Sequence, residues 1–183
     1  MKGMKNLLER YRLFLQFVER GEVFLGILMI STIVVCIFSQ VFSRYALGRP
    51  LVWVEELSTY CFIWGTFLGA SIGLKRARHI KIRVISSLLP ESVHRWLSFF
   101  IYLCIAAFSL VMVGQGIRAM GIESMQHTIA LPIRLSRKYF YSWPLTLACA
   151  SMFLTSLYYL VLEGIRQLVP GPPVPEDQGD ENR

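Results

Sequence analysis

Apolar residues in this chain gather in long uninterrupted blocks and do not follow the period of a half-buried strand or an amphipathic helix. Four blocks stand out, at about 23–43, 54–74, 96–116 and 139–162. Each is close to the twenty residues a helix needs to cross a hydrocarbon core of about 30 Å. Backbone in lipid must satisfy its own hydrogen bonds, which favours helices, and the alternation of barrel strands is absent. The pattern predicts an all-α integral membrane protein with four transmembrane helices. Ahead of the first block, residues 6–20 change period. Leu7, Leu8, Tyr11, Phe14, Leu15 and Val18 recur at helical spacing, with Glu9, Arg10, Arg12, Gln16, Glu19 and Arg20 largely between them. This is the pattern of an amphipathic helix at the membrane interface. The charged lead and the long apolar run that follows do not fit a cleaved signal peptide.

Charge sets the expected orientation. Thirteen Lys and Arg fall before the first span, between the second and third, or after the fourth, against six in the other two loops. The richer side belongs in the cytoplasm, with both termini inside. Trp53, Trp96, Tyr139 and Trp143 lie near span ends, as interfacial aromatics do. The chain therefore divides into a cytoplasmic amphipathic segment over 1–22, a membrane domain over 23–162 and a cytoplasmic tail over 163–183. The end of that tail, 170–183, is proline-rich and acidic, and is expected to be disordered. No internal repeat relates the first two spans to the last two, which argues against an inverted-repeat carrier.

Composition adds little chemistry. The net charge of +7 lies mostly in loops, without the aromatic interleaving of a nucleic-acid surface, and reads as topogenic charge beside anionic headgroups. Cys36, Cys61, Cys104 and Cys149 each sit in a different apolar block, in no metal-ligand or disulfide spacing. His79, His94 and His127 fall in loops or near span ends, with no facing mid-membrane pair to ligate haem. Catalytic triads, HExxH and phosphate-cradling glycine loops are missing, and no span carries an acidic residue near its middle. No enzyme, metal or cofactor is expected.

Polar and small residues in the spans point to helix packing. Thr32, Cys36, Ser39, Gln40 and Ser43 share one face of the first span, for a neighbouring helix of the same chain or of another subunit. Gly65, Gly69 and Gly73 make a doubled small-xxx-small stripe on the second, suited to close approach by something. Glu55 and Glu56 start the second span. There they complement the helix dipole and meet headgroups, or they form a fixed polar contact for which Arg44, on the same side, is the natural partner. A hairpin clasp of Arg44 with Glu55 or Glu56 is the specific expectation.

The stretch Gln40-Val41-Phe42-Ser43-Arg44-Tyr45, then Pro50-Leu51, Trp53, Glu55-Glu56-Leu57, Tyr60, Trp64 and Phe67-Leu68-Gly69-Ala70, resembles the small, DctQ-type membrane subunit of tripartite ATP-independent periplasmic (TRAP) transporters. His79-Ile80-Lys81-Ile82, Leu88-Leu89-Pro90 and Ala130-Leu131-Pro132 leading to Tyr139 and Pro144 continue the likeness over nearly all of 20–162. One departure is Arg83, where the family often carries an acidic residue.

The resemblance implies a non-catalytic scaffold in the bacterial inner membrane. Its expected partners are a separate large membrane subunit, which moves an organic acid inward with sodium, a periplasmic substrate-binding protein that it helps to dock, and membrane lipids. Gln40, Arg44, Trp53, Glu55, Glu56, Tyr60, Trp64, Gly65, Gly69, Gly73 and His79 become the candidate interface or structural residues. Basic outer-loop residues such as Arg134, Arg137 and Lys138 are either solvated or meet the binding protein. The rivals are an autonomous small carrier working as an oligomer, against which the lack of a mid-span carboxylate argues, and a redox subunit binding haem or quinone.

Overall fold

The computed structural model describes residues 2–76 and 91–168, with side chains over 8–76 and 96–164. Four long helices account for almost all of it: α1 (Lys2–Ala46), α2 (Val52–Arg76), α3 (Glu91–Glu123) and α4 (Ser142–Leu168). Each contains a stretch long and apolar enough to cross a membrane.

The amphipathic segment at the N-terminus is continuous with the first span, in one helix of 45 residues. At 1.5 Å per residue that helix is about 67 Å long, roughly twice a hydrocarbon core. Its N-terminal part also packs within the chain. Leu15 is buried, and Tyr11 stacks on Tyr158 of α4 at 5.7 Å between ring centroids and donates to the Leu154 carbonyl at 3.1 Å. Leu13, Phe14 and Phe17 remain exposed.

α1 ends where Gly48 takes a positive φ of 67°, a backbone region that glycine enters without steric cost. The Ser43 carbonyl accepts from the N–H groups of Leu47 and Arg49, and Ser43 Oγ donates to the Arg49 carbonyl at 2.6 Å. These bonds satisfy groups that a helix end would otherwise leave orphaned beside lipid. Pro144 falls in the first turn of α4, where its missing N–H removes no helical bond.

The helices form a row and not a compact bundle. α1 packs on α2, α2 on α4 and α4 on α3, and α1 meets α4 more locally, through Tyr11 and Glu22. Among the described residues, α3 contacts neither α1 nor α2. Every residue on the broad faces of this row is therefore open to lipid or to another protein. Exposed large apolar side chains follow from that, among them Phe24, Val35 and Phe38 on α1 and Phe100, Phe108 and Val111 on α3.

The α3–α4 seam is built from small residues. Ala106, Ser109 and Gly116 on α3 are buried, as are Cys149 and Ser156 on α4. A Cβ at Gly116 would meet Thr146 Oγ1 at prohibitive range and Thr146 Cβ at 3.3 Å. Glycine there lets two backbones approach without a hydrophobic drive from water.

Candidate functional site

The two hairpins of the row are staggered, and polar side chains fix the stagger at two levels. Trp64 lies twelve residues into α2, about 18 Å along its axis. Its Nε1 donates to the carbonyl of Tyr139, three residues before the start of α4. α4 thus begins well below the top of α2, and the segment 124–141 fills the step.

One face of α2 holds that segment with residues a turn or two apart. Trp64 takes Tyr139, and Tyr60 stacks on Phe140 at 4.1 Å with Tyr141 edge-on at 5.8 Å. Glu56 sits one turn above Tyr60. Its carboxylate accepts from three successive backbone N–H groups, Ile129 at 3.1 Å, Ala130 at 2.7 Å and Leu131 at 2.8 Å, and from Tyr60 Oη at 2.5 Å. Hydrogen bonds to a charged acceptor are the stronger kind, about 1.5–3 kcal/mol each.

The segment also ties itself down. Thr128 Oγ1 donates to the Ile133 carbonyl at 2.8 Å and accepts from the Leu135 N–H at 3.2 Å, and His127 bridges Ser136 in antiparallel fashion. Ser142, the first residue of α4, donates to the Glu123 carboxylate at the end of α3. The result is a structured platform with Met125, Ile129, Ile133 and Arg134 on its surface.

The expected clasp of Arg44 with Glu55 or Glu56 does not form. Glu56 is taken by the platform backbone, and Glu55 accepts a long 3.5 Å bond from Gln40 Nε2. Arg44 is exposed and makes no ion pair among the described residues. The physical reason lies in α2. Glu56 shares the face of Tyr60 and Trp64, and that face looks to α4, away from α1.

The polar face of α1 meets a neighbour in the same chain. Cys36 and Ser43 are buried, Gln40 reaches Glu55, and Thr32 bonds back to the Leu28 carbonyl at 2.8 Å. The glycine stripe behaves differently. A Cβ at Gly65 would meet Met29 Cβ at 4.0 Å, an ordinary contact, and at Gly69 or Gly73 nothing within 4 Å. Close approach within the chain occurs at Gly116 instead, leaving the lower stripe open. Trp53 is exposed, and His79 lies outside the described residues.

A second polar cluster involves residues with no role in the sequence pattern. Lys75 Nζ lies 2.8 Å from Glu22 Oε2 and donates to Ser151 Oγ at 2.8 Å. Ser71 and Ser151 both donate to Glu22 Oε1, at 3.0 and 2.6 Å. The side chains of Lys75 and Glu22 are only 4% and 9% exposed. One anion, one cation and two hydroxyls from α1, α2 and α4 thus satisfy each other out of water, as buried charge requires. Beside them, Arg76 Nε pairs with Glu19 Oε1 at 2.9 Å in a more exposed setting.

Residues 33–167 match the profile of the family described as tripartite ATP-independent periplasmic transporters, DctQ component. The chain belongs to the DctQ family. DctQ membership and four membrane-spanning helices place it in the bacterial inner membrane as a multi-pass protein. It is 28% identical over 97 residues to the C4-dicarboxylate TRAP transporter small permease protein DctQ of Vibrio cholerae, covering 53% of this chain and 42% of that one. It is 36% identical over 52 residues to the sialic acid TRAP transporter small permease protein SiaQ of the same organism, covering 28% of this chain and 30% of that one. It is 26% identical over 104 residues to the sialic acid TRAP transporter permease protein SiaT of Haemophilus influenzae, covering 57% of this chain but only 17% of that much longer protein. The chain therefore spans less than half the length of each of these relatives.

Proposed function

We propose that this DctQ-family chain is the fixed small subunit of a sodium-coupled TRAP transporter for organic acids. It packs against a large membrane subunit, presents its 124–136 platform to a periplasmic binding protein, and keeps both termini in the cytoplasm. The observation that carries the reading is a helix row pinned by polar contacts yet uncovered on its broad faces. Such a row suits a scaffold, because its own helices are locked while its surfaces stay free for a partner. The open glycines of α2 offer one place for close approach. Relatives named for sialic acid and C4-dicarboxylate, both carboxylates, support the substrate class. The thirteen-to-six bias of Lys and Arg supports the orientation.

The test is reconstitution. Full-length chain tagged and purified from native membrane is expected to bring down a separate many-span membrane protein. Alone in liposomes the chain takes up nothing. With that partner and the binding protein, uptake of an organic acid appears and collapses when potassium replaces sodium. Uptake by the chain alone would overturn the reading in favour of a small oligomeric carrier.

A further inference from the structure

At the end of the α1–α2 hairpin marked by Arg76, a groove of about 260 Å³ is lined by Glu19, Arg20, Val23, Phe24, Ile27 and Arg76. It straddles a sharp change in the chain. Charges occur at Glu19, Arg20 and Glu22, and the next charged residue along α1 is Arg44. One end of the groove is therefore cationic and polar, and the other is apolar, with Phe24 and Ile27 largely exposed.

The charge at the polar end is unbalanced. Glu22 is neutralised inside the protein by Lys75, and Glu19 accepts from Arg76 through Nε alone. The Arg76 side chain is 62% exposed and among the described residues bonds only Glu19, and Arg20 makes no ion pair among them. Two guanidinium groups against one carboxylate leave a net positive mouth. Guanidinium is suited to two-pronged binding of phosphate oxygens.

We propose that this groove binds an anionic phospholipid, its phosphodiester on Arg20 and Arg76 and an acyl chain along Val23, Phe24 and Ile27. A basic mouth above an apolar wall at the membrane boundary has the shape and polarity of such a lipid. The site lies at the inner leaflet in the orientation proposed above, but the binding itself depends on neither that orientation nor a transport role. The lipid would wedge beside the Glu19 and Arg76 contact and brace the long α1 where it leaves the membrane.

Native mass spectrometry of the full-length chain in mild detergent, with added phosphatidylglycerol or phosphatidylcholine of identical chains, tests this. Phosphatidylglycerol is expected to be retained more strongly. R20Q, which removes no ion pair among the described residues, is expected to lower that retention about fivefold, and R20Q/R76Q to erase the preference. I27W, at an exposed position, fills the groove and lowers retention of both lipids. Equal retention of the two lipids by the unaltered chain would overturn the proposal, as would a preference surviving in R20Q/R76Q. Displacement of phosphatidylglycerol by inorganic phosphate with no effect of I27W would also overturn it, since that marks an anion site without a lipid groove.

Discussion

At the scale of single residues, the charged pair of Glu22 and Lys75 decides most. Removing one member leaves the other buried with two hydroxyls, which costs about 3–5 kcal/mol in buried pairs elsewhere. Replacing both by apolar residues of similar size is often close to neutral. E22Q and K75M are therefore each expected to lower resistance to denaturant sharply, with E22L/K75M recovering most of it, as read by tryptophan fluorescence in detergent. A double variant as unstable as the sum of the singles would show that the two charges act independently. The pair was not legible in the sequence for a physical reason. Each residue sits at the end of an apolar run, where it reads as a topogenic or headgroup charge. Only the stagger of α4, which brings Ser151 to the same level, encloses them. Glu56, Tyr60 and Trp64 were legible as a set, but their partner was not. The backbone N–H groups of 129–131 carry no signature, so the nearest opposite charge, Arg44, looked like the obvious mate.

At the scale of elements, hydropathy gives the number of membrane-crossing helices but not where those helices end. The third span, expected over 96–116, belongs to a helix that runs to Glu123. Arg118 and Glu123 lower hydropathy in that last stretch, yet the helix continues because Glu123 still has a partner, Ser142 Oγ. Glycine spacing likewise leaves the packing partner open. A doubled stripe on α2 is the stronger pattern, whereas a single glycine on α3 makes the close approach. Spacing records which positions are small, and only packing records which of them another backbone reaches. G116L is expected to overpack the α3–α4 seam, costing about 1–3 kcal/mol or more. G69L, facing open space within the chain, is expected to leave the stability of the isolated subunit nearly unchanged. Thermal unfolding of the two variants, followed by circular dichroism, separates them. Equal destabilisation would mean that the seam at Gly116 is not the tight one.

At the scale of the whole molecule, the row order α1, α2, α4, α3 determines what can move. Two outer helices each pack mainly on one neighbour, and a row joined only by apolar contacts could bend, since lipid replaces such contacts at little cost. The polar contacts alter that balance. Sliding α4 along α2 would pull Ser151 out of the buried Lys75 and Glu22 cluster and strip the Glu56 carboxylate of three backbone N–H donors. A rigid row is therefore the expectation, and it can be locked without loss. Tyr11 and Tyr158 lie 5.7 Å apart across α1 and α4, and Tyr102 and Tyr159 lie 5.0 Å apart across α3 and α4. With the four native cysteines replaced by alanine, cysteines at each pair should be bridged by a short bifunctional thiol reagent. Cysteines at Tyr11 and Tyr102 should not bridge within one chain, because α1 and α3 do not touch. Bridging both close pairs together ties the outer helices to α4. If the subunit is a fixed scaffold, sodium-driven uptake by the assembled transporter persists after that treatment. If uptake stops while the bridged complex remains assembled, the row itself moves during transport, and the polar contacts are points of a hinge instead of a lock.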